Sequence, residues 1–466
     1  MDSSIGSEEI AFASITELAP RLAAKEISPV EVTELMLARI ERYEPSLNAF
    51  ITVTADSARQ QARAAESAIM AGDAAGPLHG IPLGIKDLYA TRGIATTYGS
   101  PLYADWVPDF DAAAVERLRQ AGAVLIGKTN LHELAYGSTS VNAHYGPVHN
   151  PWRQDHHPGG SSGGSSAAVA AGMCYAATGS DTGASIRQPA ACCGIVGIKP
   201  TFGRISKFGA LPLSWSQDHA GPLTRTVADA ALLMQVLAGH DPRDPTSVDR
   251  PVPDFSAELD RGVRGTRIGI PRAFFFDDCD PEVIAAVEAA IQVLRDEGAE
   301  VEEIELAHMD AVYAAGVVTI ATEGASFHAA DLRERPELFS RELRASFELG
   351  SFYSAVDYVQ AQRLRRHLLD QACTAMACFD AIVMPTAPVP ATPIEDTPRE
   401  HAMLRPRNTI PFNALGLPAI SVPCGLTEAG LPIGLQIAGH AFEEVAVLRI
   451  AAAYERATAW RRIPPL

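Results

Sequence analysis

Eight consecutive residues, Gly159-Gly-Ser-Ser-Gly-Gly-Ser-Ser166, are drawn from only two residue types, yet they lie inside a stretch that alternates short apolar runs with helical spacing. A linker of this composition belongs between domains, not within a compact alternating region. The small-residue run Ala167–Gly172 follows directly, so the segment reads as a tight turn opening a helix. Backbone N–H groups at such a turn face an anion or an oxyanion. Gly159-x-Ser161-x-Gly163 also matches, formally, the G-x-S-x-G nucleophile elbow, in which a strand runs straight into the serine. The preceding residues, Asn150 to Pro158, are polar and proline-bearing rather than an apolar strand, so an esterase built on Ser161 is the weaker alternative.

The alternation defines the fold class. Ile81–Ile85 and Ala123–Ile126 read as buried strands flanking a helix over Asp111–Ala121. The pattern resumes with strands at Arg267–Ile270, Val301–Leu306, Ala381–Met384, Ala419–Val422 and Leu435–Ala438. Helices fall at Pro281–Glu297, Ala355–Met376 and from Glu443 onward. This order predicts an α/β protein, an α/β/α sandwich around a large mixed sheet. Ahead of it, Ser28-Pro-Val-Glu31 is a capping box with proline at the first helical position, followed by apolar residues at helical spacing to Tyr43. An alanine-rich helix follows over residues 56–71. Residues 1–75 are therefore expected to form an N-terminal helical segment packed on a body of residues 76–466. Proline- and charge-rich connections at 241–264 and 385–407 would frame a smaller inserted subdomain within about 255–400.

With 56 acidic against 38 basic residues and a formal charge of −18, a phosphate backbone or an anionic membrane is disfavoured as a partner. No run of 18 apolar residues occurs and the N-terminus is acidic, so a cytoplasmic protein is expected. Seven cysteines without a C-x-x-C pair read as reduced, mostly buried thiols. His132-Glu133 lacks the second histidine of H-E-x-x-H, and His156-His157 are adjacent and face different ways, so no metal is expected.

A second serine follows another glycine-containing turn in Gly179-Ser-Asp-Thr-Gly-Ala-Ser-Ile-Arg-Gln-Pro-Ala190. Taken with the Gly/Ser cluster and Gly80-Ile-Pro-Leu-Gly-Ile-Lys-Asp87, this segment resembles the amidase signature family. That family carries a lysine in G-I-P-x-x-x-K-D, a serine in G-G-S-S-G-G and a nucleophilic serine in G-G-S-I-R. The two serines here are 185 − 161 = 24 positions apart, the family's separation. Ala123–Glu133, Cys193–Arg204, Gly221–Arg225 and Thr409–Gly439 are also similar to family segments, so the resemblance runs from about Leu78 to the C-terminus.

The resemblance implies Ser185 as nucleophile, Ser161 as a bridging serine in a cis peptide and Lys86 as base. It implies an oxyanion hole from the backbone N–H groups of Thr182, Gly183, Ala184 and Ser185, with Ser162, Arg187 and Asp218 in support and no cofactor. The chemistry is sound: a serine hydroxyl needs a base, and burial can make a lysine neutral enough to serve. Ala184 departs from the pattern, where glycine is common, and is strained if that backbone has positive φ. Lys128 and Lys199 fall outside the base motif, and Cys192-Cys193 read as packing residues.

The expected function is hydrolysis, through an acyl-enzyme, of a small neutral, partly aromatic amide, anilide or carbamate, with esterase and urethane-cleaving side activity. A free-standing enzyme or a homodimer would suffice. The alternative is the glutamine-amidase subunit of a tRNA-dependent transamidation complex, which Thr409-Ile-Pro411 and Gly416–Cys424 resemble. Such subunits carry an acid just before the T-I-P segment to hold the glutamine amino group. Here that place reads Leu404-Arg-Pro-Arg-Asn408, which favours the free-standing enzyme.

Overall fold

The apolar runs pair into one mixed sheet of eleven strands. The computed structural model describes residues 6–73, 76–395, 404–460 and 462–466. Across the sheet the order is β1 (Phe50–Val53), β3 (Val124–Thr129), β2 (Pro82–Lys86), β6 (Ala176–Asp181), β8 (His219–Thr224), β7 (Val196–Lys199), β12 (Ala419–Leu426), β13 (Pro432–Gly439), β11 (Ala381–Pro385), β9 (Arg267–Ile270) and β10 (Glu300–Glu303). Parallel pairs β2–β3, β2–β6, β9–β11 and β9–β10 flank an antiparallel centre. A separate two-stranded hairpin pairs β4 (Val141–Asn142) with β5 (Gly146–Pro147). No helix among the described residues is long and apolar enough to cross a membrane.

Strands β2, β3, β6, β7, β8 and β13 are buried along their whole length, because helices cover both faces. Periodicity did not reveal four strands of this sheet, β1, β6, β7 and β8, of which the last three are buried throughout. β6, Ala-Ala-Thr-Gly-Ser-Asp, has no bulky or alternating residues, since Gly179 leaves room for Ile186, whose side chain would lie 2.8 Å from an added Cβ. β1 is four residues long and pairs antiparallel with β3, so the first 75 residues are not wholly helical. They supply an edge strand as well as helices at Ser7–Phe12, Ile15–Ala23, Pro29–Leu47 and Ala55–Ala71. The expected capping box is present: Ser28 Oγ accepts from the Val30 backbone, and Glu31 accepts from the Ser28 backbone N–H at 3.0 Å.

Between Arg267 and Pro385 the chain contributes β9, β10 and β11 to the common sheet and adds helices at Met309–Phe327, Arg341–Gly350 and Ala355–Met376. Residues 74–75 of the expected N-terminal segment and 396–400 of the expected inserted unit lie outside the described residues.

The Gly/Ser composition of residues 159–166 follows from packing. The helix Gly163–Ala170 is buried on every side. A Cβ at Gly164 would stand 2.3 Å from the Asn130 carbonyl oxygen and 2.4 Å from that of Ala49. Ser165 fits the same crevice by bonding, at 2.6 Å from Thr129 Oγ1 and donating to the Thr178 carbonyl at 2.9 Å. Among the described residues no strand runs into Ser161, so the nucleophile-elbow reading loses its required context.

Candidate active site

Adjacent strands bring the motif residues together. Lys86 ends β2, whose neighbour β6 leads into the Asp181–Ile186 turn. Ser161 and Ser162 stand just ahead of the Gly163–Ala170 helix packed beneath both strands. Lys86 Nζ is fully buried and lies 2.8 Å from each of three hydroxyl oxygens, those of Ser161, Ser162 and Ser180. Burial lowers its pKa to about 7, against the opposing pull of Asp181 and Asp218. The strand that carries Lys86 is buried along its whole length.

The Gly160–Ser161 peptide is cis. The Ser161 carbonyl accepts from the His132 backbone at 3.1 Å and from Ser140 Oγ at 3.2 Å, and Gly160 N–H donates to Gln188 Oε1 at 3.2 Å. Ser185, 8% exposed, ends the turn before the Arg187–Cys193 helix. The backbone N–H groups of Thr182, Gly183, Ala184 and Ser185 make no hydrogen bond to another described residue. Ala184 is absent from the positive-φ positions, so it carries no left-handed strain there. Gly183 is held by close approach: an added Cβ would lie 2.9 Å from Ile410 Cγ1 and 3.5 Å from Ile320 Cδ1.

Two carboxylates frame this turn. Burial would raise the pKa of Asp181, but the Arg187 guanidinium outweighs it and holds the carboxyl well below the usual range. Arg187 Nε and Nη2 each meet an Asp181 oxygen at 3.0 Å, and the same guanidinium reaches Thr409 O, Gln436 Oε1 and Asn413 Oδ1. Asp218 accepts from Thr182 Oγ1 at 2.6 Å and from the backbone of Leu213 and Ser214. Burial raises its pKa to about 6.

Lys128 is paired with Asp87 at 3.0 Å, and Lys199 donates to the carbonyls of Pro200 and Leu417. Cys192 and Cys193 are buried free thiols. Sequence reasoning did not single out Ser180, Asn413 or Gln436. Ser180 directly precedes Asp181 in a motif that was read for its turn. Asn413, on the Ile410–Ala414 helix, and Gln436, on β13, are more than 220 positions from Arg187, and only the tertiary fold joins them.

The arrangement can take a proton from a serine, pass it to a buried amine and offer backbone donors to an oxyanion. Residues 31–448 match the amidase family. A glutamyl-tRNA(Gln) amidotransferase subunit from Roseiflexus sp. (strain RS-1) is 45% identical, over 97% of this chain and 98% of the relative. Among solved structures, a chain from a vestigial protein complex bearing on the origins of an s-triazine catabolic enzyme superposes with a TM-score of 0.92. It is 35% identical, over 97% of this chain and 100% of that one. A bacterial aryl acylamidase of the amidase signature enzymes superposes with a TM-score of 0.90 at 31% identity, over 98% and 99% of the two chains. This chain belongs to the amidase signature family and is a C–N hydrolase of that class.

Proposed function

We propose that the chain hydrolyses an acyl C–N bond through a covalent acyl-enzyme on Ser185. The observation that carries this reading is a buried Lys86 amine, titrating near 7, at 2.8 Å from Ser161 Oγ. Ser185 Oγ attacks the carbonyl carbon while its proton moves by way of Ser161 to Lys86. The N–H groups of Thr182 to Ser185 receive the oxyanion. Collapse breaks the C–N bond, and the proton returns through Ser161 to the departing nitrogen. Water then attacks the acyl ester, giving its proton to the same relay, and Ser185 leaves with a proton restored. Ser162 and Ser180 position Lys86, while Arg187 and Asp218 fix the turn.

Likeness over 97% of the chain to a glutamyl-tRNA(Gln) amidotransferase subunit supports the amide-cleaving component of such an assembly over the free-standing enzyme expected from sequence alone. One observation favours the second reading, a neutral amide, anilide or carbamate with ester and urethane side activity. The segment Leu404–Asn408 offers no carboxylate, and Arg405 is buried there. Asp181 and Asp218 are already committed to Arg187 and Thr182. An ammonium group would then lie in the site poorly compensated.

The isolated chain should be assayed on glutamine, a 4-nitroanilide, an N-aryl carbamate ester and a simple ester. Glutamine turnover above the neutral substrates, or activity only with partner chains, supports the transamidation reading; the reverse order by the chain alone supports the free-standing one. A fluorophosphonate is expected on Ser185. Labelling of Ser161 with an active Ser185→Ala variant would overturn both.

A further inference from the structure

Glu323, on the Met309–Phe327 helix, is only 1% exposed and its carboxylate accepts four hydrogen bonds. Ser214 Oγ donates to it at 2.6 Å, the Ser216 backbone N–H at 3.1 Å, Ser216 Oγ at 2.7 Å and Tyr358 OH at 2.8 Å. Three of the four come from one loop, residues 213–218, which runs directly into β8. Arg365 holds the same loop, donating to Ser216 Oγ and to the Ser216 carbonyl, both at 3.0 Å. The loop in turn wraps Asp218, whose carboxylate accepts from the Leu213 and Ser214 backbone N–H groups at 3.0 Å. Ser214 is therefore shared: its hydroxyl serves Glu323 and its N–H serves Asp218. Asp218 then takes the Thr182 hydroxyl at 2.6 Å, at the start of the turn that ends on Ser185. The same helix also meets that turn directly, since Ile320 Cδ1 would lie 3.5 Å from a Cβ added at Gly183.

We propose that Glu323 is a positioning residue for the oxyanion hole, fixing the Thr182 backbone N–H by way of Ser214 and Asp218. The inference rests on the 182–185 turn receiving the oxyanion as described under Proposed function, and it holds for either substrate reading there. A carboxylate is an acceptor only, so the Ser214, Ser216 and Tyr358 hydroxyls must all donate to it, and the sense of every bond in the loop is set. Bonds to a charged acceptor are also roughly twice as strong as neutral ones. Thr182 carries the effect to the backbone, because a β-branched side chain is stiff at χ1 and holding its hydroxyl holds the residue. The other side of the turn is tied separately, by Asp181 accepting from the Ile186 backbone at 3.1 Å. An oxyanion donor contributes only where it meets the oxygen of the transition state at about 2.7–3.1 Å. A loosened Thr182 end therefore costs rate and leaves ground-state binding unchanged.

Glu323→Ala, Ser214→Ala and Thr182→Val break the connection at its start, middle and end. Each is assayed on the amide and the ester that the parent chain turns over fastest. kcat is expected to fall about tenfold to a hundredfold in each, with KM within about twofold, because the oxyanion bond is made only in the transition state. The loss should be equal on amide and ester, since both pass through an oxyanion. The Ser214→Ala/Thr182→Val double variant should lose no more kcat than Thr182→Val alone, because both changes cut one path. A residue that only stabilises the fold would instead lower the urea midpoint and leave kcat per folded chain at the parent value. Parent kcat in Ser214→Ala, rate losses that multiply in the double variant, or a rise in KM with kcat unchanged would each overturn the assignment. If Glu323→Ala does not fold, Ser214→Ala and the double variant decide it. Failure of the parent chain to label at Ser185 with a fluorophosphonate would sink the nucleophile reading itself, which is a different result.

Discussion

A neutral primary amine can donate two hydrogen bonds and accept one, whereas an ammonium donates three. Lys86 Nζ meets three hydroxyl oxygens, so in its neutral form one hydroxyl must point its hydrogen at the amine. That is the arrangement of a base ready to take a proton from Ser161. Because burial lowers the Lys86 pKa to about 7, the base is lost as pH falls through that value. We expect kcat/KM to fall on the acid side with a midpoint near 7, measured as a pH–rate profile on a neutral amide. Lys86→Ala should remove that limb and lower kcat by several orders of magnitude, more for amides than for activated esters. The difference arises because a poor amine leaving group needs the returned proton and an activated alcohol does not. Equal losses on both substrates would argue against proton delivery by Lys86.

At the scale of elements, the turn between β6 and the Arg187–Cys193 helix depends on one buried pair. Arg187 and Asp181 are both fully buried, and the guanidinium also ties the turn to β13 through Gln436 and to the Ile410–Ala414 helix through Asn413. Removing one partner of such a pair leaves an uncompensated charge, at a cost of about 3–5 kcal/mol. Arg187→Leu is therefore expected to lower stability by that amount in urea unfolding. The Asp181→Leu/Arg187→Leu double variant should lose less than the sum of the two singles. The depressed Asp181 pKa also sets a sign. Its contribution is present above the unfolded carboxylate pKa and is lost as pH falls below it, so the parent should lose more stability in acid than the double variant. These connections also show where sequence reading stops. Arg267–Ile270 and Ala355–Met376 were legible to the residue, because apolar runs and helical spacing act locally. Lys86, Ser161 and Ser185 were singled out through motif spacing, and the fold brings the first two within 2.8 Å of each other. β6 was not legible, since burial on both faces by Ala, Thr and Gly erases alternation, and Ser180 was hidden with it. Nor could the partners of Arg187 be found, since a hydrogen bond to a residue more than 220 positions away leaves no local trace.

For the molecule as a whole, the open question is whether the first 75 residues fold with the body or merely rest on it. The contacts that join them are specific. Asp229, at the start of the Val227–Leu237 helix, accepts from the Ile15 and Thr16 backbone N–H groups, both at 3.0 Å, at the N-terminus of the Ile15–Ala23 helix. Arg225 donates to the Ala13 carbonyl, Arg39 to those of Ala171 and Gly172, and Tyr175 OH to that of Ile10. β1 adds ladder bonds to β3, the strand beside the one that carries Lys86. A segment with both sheet pairing and buried polar ties should not open separately. We therefore expect Asp229→Ala to shift the whole unfolding transition, by about 1–3 kcal/mol for the buried donors it leaves without a partner. Urea unfolding followed by tryptophan fluorescence should remain a single transition, coincident with loss of fluorophosphonate labelling at Ser185. Limited proteolysis below that transition should release no N-terminal fragment. If Asp229→Ala instead sheds residues before Asn48 while the remaining chain still labels at the parent rate, the N-terminal helices would be an appended unit. The site would then be built by the α/β body alone.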